Sequence, residues 1–319
     1  MRKLLIHIGR HKTGTTAIQH FLQDNRPRLR DFGFFVPQAG RVKNAHHGLS
    51  RPFQPRNVQQ LQGIDDYRQL EAVRALTLES DDEPPEAIGL ISSEGFQNCR
   101  PGLVQMAYRD FQAQIVVYLR NQLEYLASSY AQRVHATDYT GSIQVFFKDV
   151  YLKGNHYASF LETWEEHFPK QLLVRRYQPS NIVEDYAENV LQIPVDAFSM
   201  RQSLSNPSLN SVVTQFKCEL NRRKPKDAPT QLEIYPILPG LNALFPGPKF
   251  VLPPETVSDL VDNCRESDNE VATRYFGDKQ LFDYSDFPTH PESPIRDIQF
   301  EAMYSAMLQL LRETNATYA

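Results

Sequence analysis

The sequence predicts an α/β fold, a central parallel sheet flanked by helices, and three observations predict it. Five short apolar or β-branched runs, at 3–8, 33–36, 87–92, 114–119 and 171–175, alternate with helical patterns, as βαβ units require. The first run passes directly into a Gly/Lys/Thr loop that opens a helix. Glu94 and Arg120 directly follow the third and fourth runs, which expects them at the carboxyl ends of strands, where open parallel sheets bind ligands.

Between the strands, apolar periodicity predicts helices over 15–30, 65–79, 102–111, 122–135, 156–167, 180–191, 208–223, 254–275 and 295–312. The polar stretch 37–60 reads as a long functional or mobile loop, and the acidic 80–86 as a solvated turn. The stretch 222–254 carries eight prolines and reads as an irregular excursion between two helices. The 319 residues are expected to form one domain, with a core over about 1–200 and a helical, proline-rich extension over about 201–319.

Composition narrows the function classes. At 41% hydrophobic residues the chain has enough apolar surface for a core. A net charge of −4 gives no electrostatic case for a nucleic-acid or anionic-membrane partner, although local basic residues can still line a pocket. Three widely spaced cysteines without a CxxC fit reduced thiols, and neither a disulfide framework nor a metal site is expected. The first strand begins almost at Met1, with no apolar leader and no run of 18 apolar residues. A cytoplasmic protein without a membrane span is the expectation.

The segment GRHKTGTT at 9–16 has the form of a phosphate cradle. The first amides of a helix lack intrahelical partners and the helix dipole adds partial positive charge there, so Thr13, Gly14, Thr15 and Thr16 are expected to present N–H groups to an anion. Gly9 and Gly14 keep the spacing of the Walker pattern G-x4-G-K-[ST], but Thr15 stands where its lysine belongs and the lysine is displaced to Lys12. The fold expected is therefore P-loop nucleotide-kinase-like, with helical C-terminal additions and a phosphate chemistry other than nucleotide hydrolysis.

These residues resemble the sulfotransferase family, whose donor is 3′-phosphoadenosine-5′-phosphosulfate (PAPS). The 9–16 loop is similar to that family's 5′-phosphosulfate loop, and IVVYLRNQLEYLASSYAQ at 115–132 to its 3′-phosphate motif, in which a strand ends in arginine and a serine follows eight residues later. The resemblance implies that Arg10, His11, Lys12, Thr13, Gly14, Thr15, Thr16, Arg120 and Ser128 bind the donor. It implies the product adenosine 3′,5′-bisphosphate and no required metal. Weaker likenesses to the bacterial carbohydrate-sulfotransferase-like branch are HHGL at 46–49, LISSEGF at 90–96, YASFLETWEEHF at 157–168 and NPSLN at 206–210, the last suggesting a role near the donor for Asn206 and Ser208. A carbohydrate-like acceptor follows from that likeness alone. The G-x-x-G-x-x-K element of the cytosolic small-molecule branch is absent, which argues against phenol or steroid acceptors.

Sulfuryl transfer needs a cation on the leaving oxygen and a base for the acceptor proton. Lys12 is the candidate cation or general acid. His46, His47 and Glu94 are the candidate bases, Glu94 also being placed to orient Lys12. Ser92 and Ser93 read as supporting hydrogen bonders, since no G-x-S-x-G elbow surrounds them. Two other readings stand beside this one: a P-loop kinase or nucleotide hydrolase, disfavoured by the displaced lysine, and a non-catalytic nucleotide-binding module on the same fold.

Overall fold

The computed structural model describes residues 1–154, 156–200, 209–226, 228–249, 251–290 and 295–318. They fall into two compact units, one comprising 1–120 and 157–204, the other 121–156 and 205–319.

The first unit holds a five-stranded parallel sheet in the order β2-β3-β1-β4-β5, with β1 at Arg2–His7, β2 at Phe34–Phe35, β3 at Ile88–Ser92, β4 at Phe111–Leu119 and β5 at Leu172–Arg176. β1 is central: Leu5 pairs with Leu90 on one side and Gln114 on the other. Its Leu4, Leu5 and Ile6 are all buried, which is why this strand reads as a continuous apolar run rather than an alternating one. The order reverses across β1 and β4, so the crevice at their carboxyl ends is the place where such a sheet accepts a ligand.

The helix α1, Thr15–Asp24, packs Ile18, Phe21 and Leu22 into the core with Leu5, Leu90, Tyr118 and Tyr186. It stops at Asn25 instead of running to 30. Pro27 has no N–H to donate and in a continuous helix its ring would clash with the carbonyl four residues back, so a second short helix restarts at Arg26–Arg30 with that proline in its first turn. The Asn25 amide closes the break by donating to Phe21 O at 3.0 Å and Ser199 O at 3.0 Å.

The second unit is helical: Gln122–Ala136, Ser211–Arg223, Gln231–Leu244, Pro254–Val271 and Asp297–Tyr318. Gln231–Leu244 corrects the expectation of an irregular excursion. Thr230 and Glu233 form a reciprocal capping box at its start, and Ile234, Ile237, Leu238 and Leu241 pack against Phe216, Met303 and Met307. Each internal proline, Pro236 and Pro239, costs roughly 3 kcal/mol. Burying four large aliphatic side chains returns roughly 1.5–3 kcal/mol apiece, enough to hold the helix against both. No helix among the described residues is long and apolar enough to cross a membrane.

Candidate functional site

Past β1 the ladder continues for two residues, Ile8 N–H donating to Val116 O at 3.0 Å and Tyr118 N–H to Gly9 O at 3.1 Å. The chain then turns at Gly9, where φ is +95° and an added Cβ would lie 3.2 Å from Glu94 Cα. A side chain here would meet backbone, so glycine is what lets the Glu94 segment approach the loop. Gly14, at φ +74°, caps α1 without a side-chain bond, and a Cβ on it would sit 2.9 Å from Ile182 and 3.1 Å from Tyr177. Lys12 also takes a left-handed conformation, at φ +61°.

The loop is braced from within. Thr13 Oγ1 donates to Arg10 O at 2.6 Å and Thr15 Oγ1 to the same carbonyl at 3.3 Å. Among the described residues no acceptor takes the N–H of Thr13, Gly14, Thr15 or Thr16. Four consecutive amides at the start of a helix thus remain available to an anion. Thr16 is exposed at the rim.

Arg120, directly after β4, donates from Nη1 to Lys12 O at 2.8 Å, while its own carbonyl accepts from Tyr157 Oη at 2.7 Å. Its guanidinium lies 5.3 Å from the Tyr177 ring, and Tyr177 also borders Gly14, so one aromatic side chain spans the loop and the strand end. Lys12 is held below its ordinary pKa first by desolvation among the surrounding groups and then by Arg120, although its surface as a residue remains exposed. Arg10 is buried and stacks over Tyr157 and Phe160 at 5.2 and 4.7 Å. His11 is lowered by burial, with Glu94 opposing that shift, and its N–H donates to Gln97 Oε1 at 3.3 Å.

Adjacent in sequence, His46 and His47 have different surroundings. His46 is buried at 1% exposure, its Nδ1 accepting from Ser92 N–H at 3.1 Å and its Nε2 meeting Pro37 O at 3.0 Å. A carbonyl can only accept, so the ring is the neutral Nε2–H tautomer with both nitrogens engaged. Burial pushes it down to about 4. The partly exposed His47 places Nδ1 2.9 Å from Ser93 Oγ and Nε2 3.8 Å from Glu94 Oε1. Glu94 Oε2 accepts from Gln19 Nε2 at 3.1 Å. Ser93 is a buried hub: its Oγ also accepts from Gly95 N–H at 3.2 Å and lies 3.0 Å from Ser50 Oγ. Beneath them His7, fully buried and pushed down to about 3 by burial, bridges to Ser92 Oγ at 2.9 Å.

The first unit therefore brings together the 9–16 loop, Arg120, Glu94, His46 and His47. Ser128 belongs to the second unit, buried on the helix Gln122–Ala136. Asn206 and Ser208 lie outside the described residues. Gln19, Tyr157 and Tyr177 were not expected at the site. Gln19 had a signal: it is a polar residue within the buried stripe Thr15, Ile18, Gln19, Leu22 of α1, a position that asks for a partner.

No known family profile matches this sequence, and no curated protein matches it. Among solved structures, a sulfotransferase from Alicyclobacillus acidocaldarius aligns over 86% of this chain and 96% of its own, at 17% identity and a TM-score of 0.44.

Proposed function

We propose that the protein is a PAPS-dependent sulfotransferase acting on an acceptor hydroxyl, in keeping with the carbohydrate-like acceptor that the sequence resemblance implies. The observation that carries this reading is the meeting of four unengaged amides, Thr13 to Thr16, with Lys12 and Arg120 at the carboxyl ends of β1 and β4. The donor set suits a phosphosulfate. Amides and a lysine meet the 5′ anion, and a planar guanidinium suits a terminal 3′-phosphate, which it can grip with two parallel bonds. The displaced lysine favours this reading over a nucleotide hydrolase, because Lys12 leaves the loop through a left-handed residue instead of extending from the first turn of α1.

The donor would supply an activated sulfuryl group on a phosphate leaving group. The chain's residues would then do three things. The amides and Arg120 hold and orient the nucleotide. Lys12 meets the negative charge that develops on the leaving phosphate oxygen as its bond to sulfur breaks. Glu94 takes the proton of the acceptor hydroxyl whose oxygen forms the new bond to sulfur, with His47 beside it and Gln19 fixing its other oxygen. His46, with both nitrogens bonded to backbone, holds the 37–46 segment against β3 in this scheme. Three buried free thiols, Cys99, Cys218 and Cys264, fit a cytoplasmic setting.

Calorimetric titration tests the reading. Wild-type protein is expected to bind adenosine 3′,5′-bisphosphate well above adenosine 5′-monophosphate or ATP with Mg2+. Arg120→Ala is expected to reduce the preference over the monophosphate by roughly one to three decades, since truncating one partner of a buried charge pair typically costs about 2–5 kcal/mol. Arg120→Lys recovers only part, a point charge replacing the fork. Failure of the wild type to bind the bisphosphate would overturn the proposal.

A further inference from the structure

Residues 32–64 contain no carboxylate, yet they hold Arg41, Lys43, Arg51 and Arg56, in a chain whose net charge is −4. Among the described residues none of these four forms an ion pair with a carboxylate. Lys43, Arg51 and Arg56 are exposed. Cations with no carboxylate in the same stretch raise a local positive potential that the total charge conceals.

The segment is fixed against the site by hydrogen bonds to the stretch that follows Glu94. Gln54 Nε2 donates to Gly95 O at 3.1 Å, Arg100 N–H to Phe53 O at 3.1 Å, and Cys99 Sγ to Ser50 O at 3.1 Å. His47–Ser50 is helical, and Arg51 continues it at φ −52° and ψ −43°. Arg51 therefore stands one turn after His47 on the same helical face, the spacing at which side chains are neighbours. Lys43 sits at φ +57° in the turn closed by Val42 and Ala45, and Arg41 Nη2 donates to Lys43 O at 3.3 Å. The neighbouring carboxylate, Glu79, accepts from Gln38 N–H at 2.6 Å. Partial burial and Arg26 hold Arg41 below its ordinary pKa, with Glu79 opposing them.

We infer that the acceptor is anionic, a saccharide carrying carboxylate or sulfate groups beside the accepting hydroxyl, and that Arg51 and Lys43 recognise those groups while His47 and Glu94 face the hydroxyl. This rests on the sulfuryl-transfer reading. A neutral acceptor would gain nothing from Lys43, Arg51 and Arg56, exposed cations that among the described residues form no ion pair with a carboxylate, Arg51 standing one turn from His47. An anionic one gains affinity and orientation, and the attraction weakens with salt.

The test uses the full chain with adenosine 3′,5′-bisphosphate present, titrated with oligogalacturonate and, separately, with a neutral malto-oligosaccharide of equal length. The expected result is binding of the oligogalacturonate about tenfold or more above the neutral sugar. It should fall with added NaCl and drop about threefold to tenfold in the Arg51→Gln/Lys43→Gln double variant, as exposed charge contacts of this kind lose. The bisphosphate titration of the same variant should stay at the wild-type value, which also reports that it is folded. Equal affinity for the two sugars, or an unchanged preference in the double variant, would overturn the inference while the nucleotide arm leaves the sulfuryl-transfer reading standing. A wild type that binds no bisphosphate removes that reading and this inference with it. Tighter binding of single-stranded RNA than of oligogalacturonate would show the cations to be a general polyanion surface and would also overturn it.

Discussion

The loop at 9–16 and the segment at 37–60 approach the same strand ends, but they reach their conformations by different routes. The loop is shaped first by local rules, to which Arg120 and Gln97 add bonds at Lys12 O and His11 N–H: Gly9 and Gly14 supply left-handed backbone, Thr13 and Thr15 bond back to Arg10 O, and α1 starts where the second glycine ends. The segment at 37–60 is set by partners far away in sequence, Ser92 and Ser93 for its histidines, Gly95 for Gln54, and Tyr108, whose hydroxyl donates to Leu49 O at 2.9 Å. A local rule preserves the meaning of a motif. A long-range one lets neighbouring residues acquire unrelated roles.

The sharpest way to break this comparison is Lys12→Ala. Removing a single stabiliser of developing charge typically lowers turnover by about 10²-fold to 10³-fold. The loop's braces do not involve the lysine side chain, so thermal unfolding of the variant should track the wild type. A wild-type rate of sulfuryl transfer in the folded variant would remove Lys12 from the chemistry and leave the loop as a binding element only.

How much could be read from the sequence follows the same division. The parallel sheet was legible because its strands are short apolar runs, and all five were expected within a few residues of where they lie. Glu94 and Arg120 were legible as strand-end residues for the same reason. The helix Gln231–Leu244 was not, since its stability comes from Phe216, Met303 and Met307, which no local pattern around Pro236 and Pro239 reveals. His46 and His47 could not be separated from each other in sequence. Their difference lies in two backbone groups, Pro37 O and Ser92 N–H, that β3 and the turn after β2 bring to one ring.

That difference has a measurable consequence in acid. His46 is lowered from 6.5 to about 4, so between those values the unfolded chain binds a proton that the folded chain does not. Stability is then full above pH 6.5 and declines as the pH falls toward about 4, by up to ~3 kcal/mol at 1.36 kcal/mol per unit. His7, lowered to about 3, adds loss in the same direction. Urea unfolding at several pH values should show a shallower acid slope in His46→Gln than in wild type, whereas the effect expected of His47→Gln is on turnover, a loss of about tenfold. Identical slopes in wild type and His46→Gln would show that His46 is not held neutral by its surroundings.

The smallest expected effect is the one that separates positioning from simple packing. Gln19 touches Glu94, donating to Oε2 while Oε1 faces His47. That bond fixes the direction of the carboxylate, so removing it should lower turnover through lost orientation. Gln19→Leu keeps the buried volume of α1 nearly constant. It is expected to lower turnover only about threefold to tenfold, well below the loss from Lys12→Ala, because the base remains and only its orientation loosens. Gln19→Glu should lower turnover further, since a second carboxylate at the same position repels Glu94 and turns it away. Affinity for adenosine 3′,5′-bisphosphate should not change in either variant. Steady-state rates decide it: equal losses in Gln19→Leu and Gln19→Glu would assign Gln19 to the packing of α1, and a larger loss in Gln19→Glu at unchanged nucleotide affinity would place it behind the base.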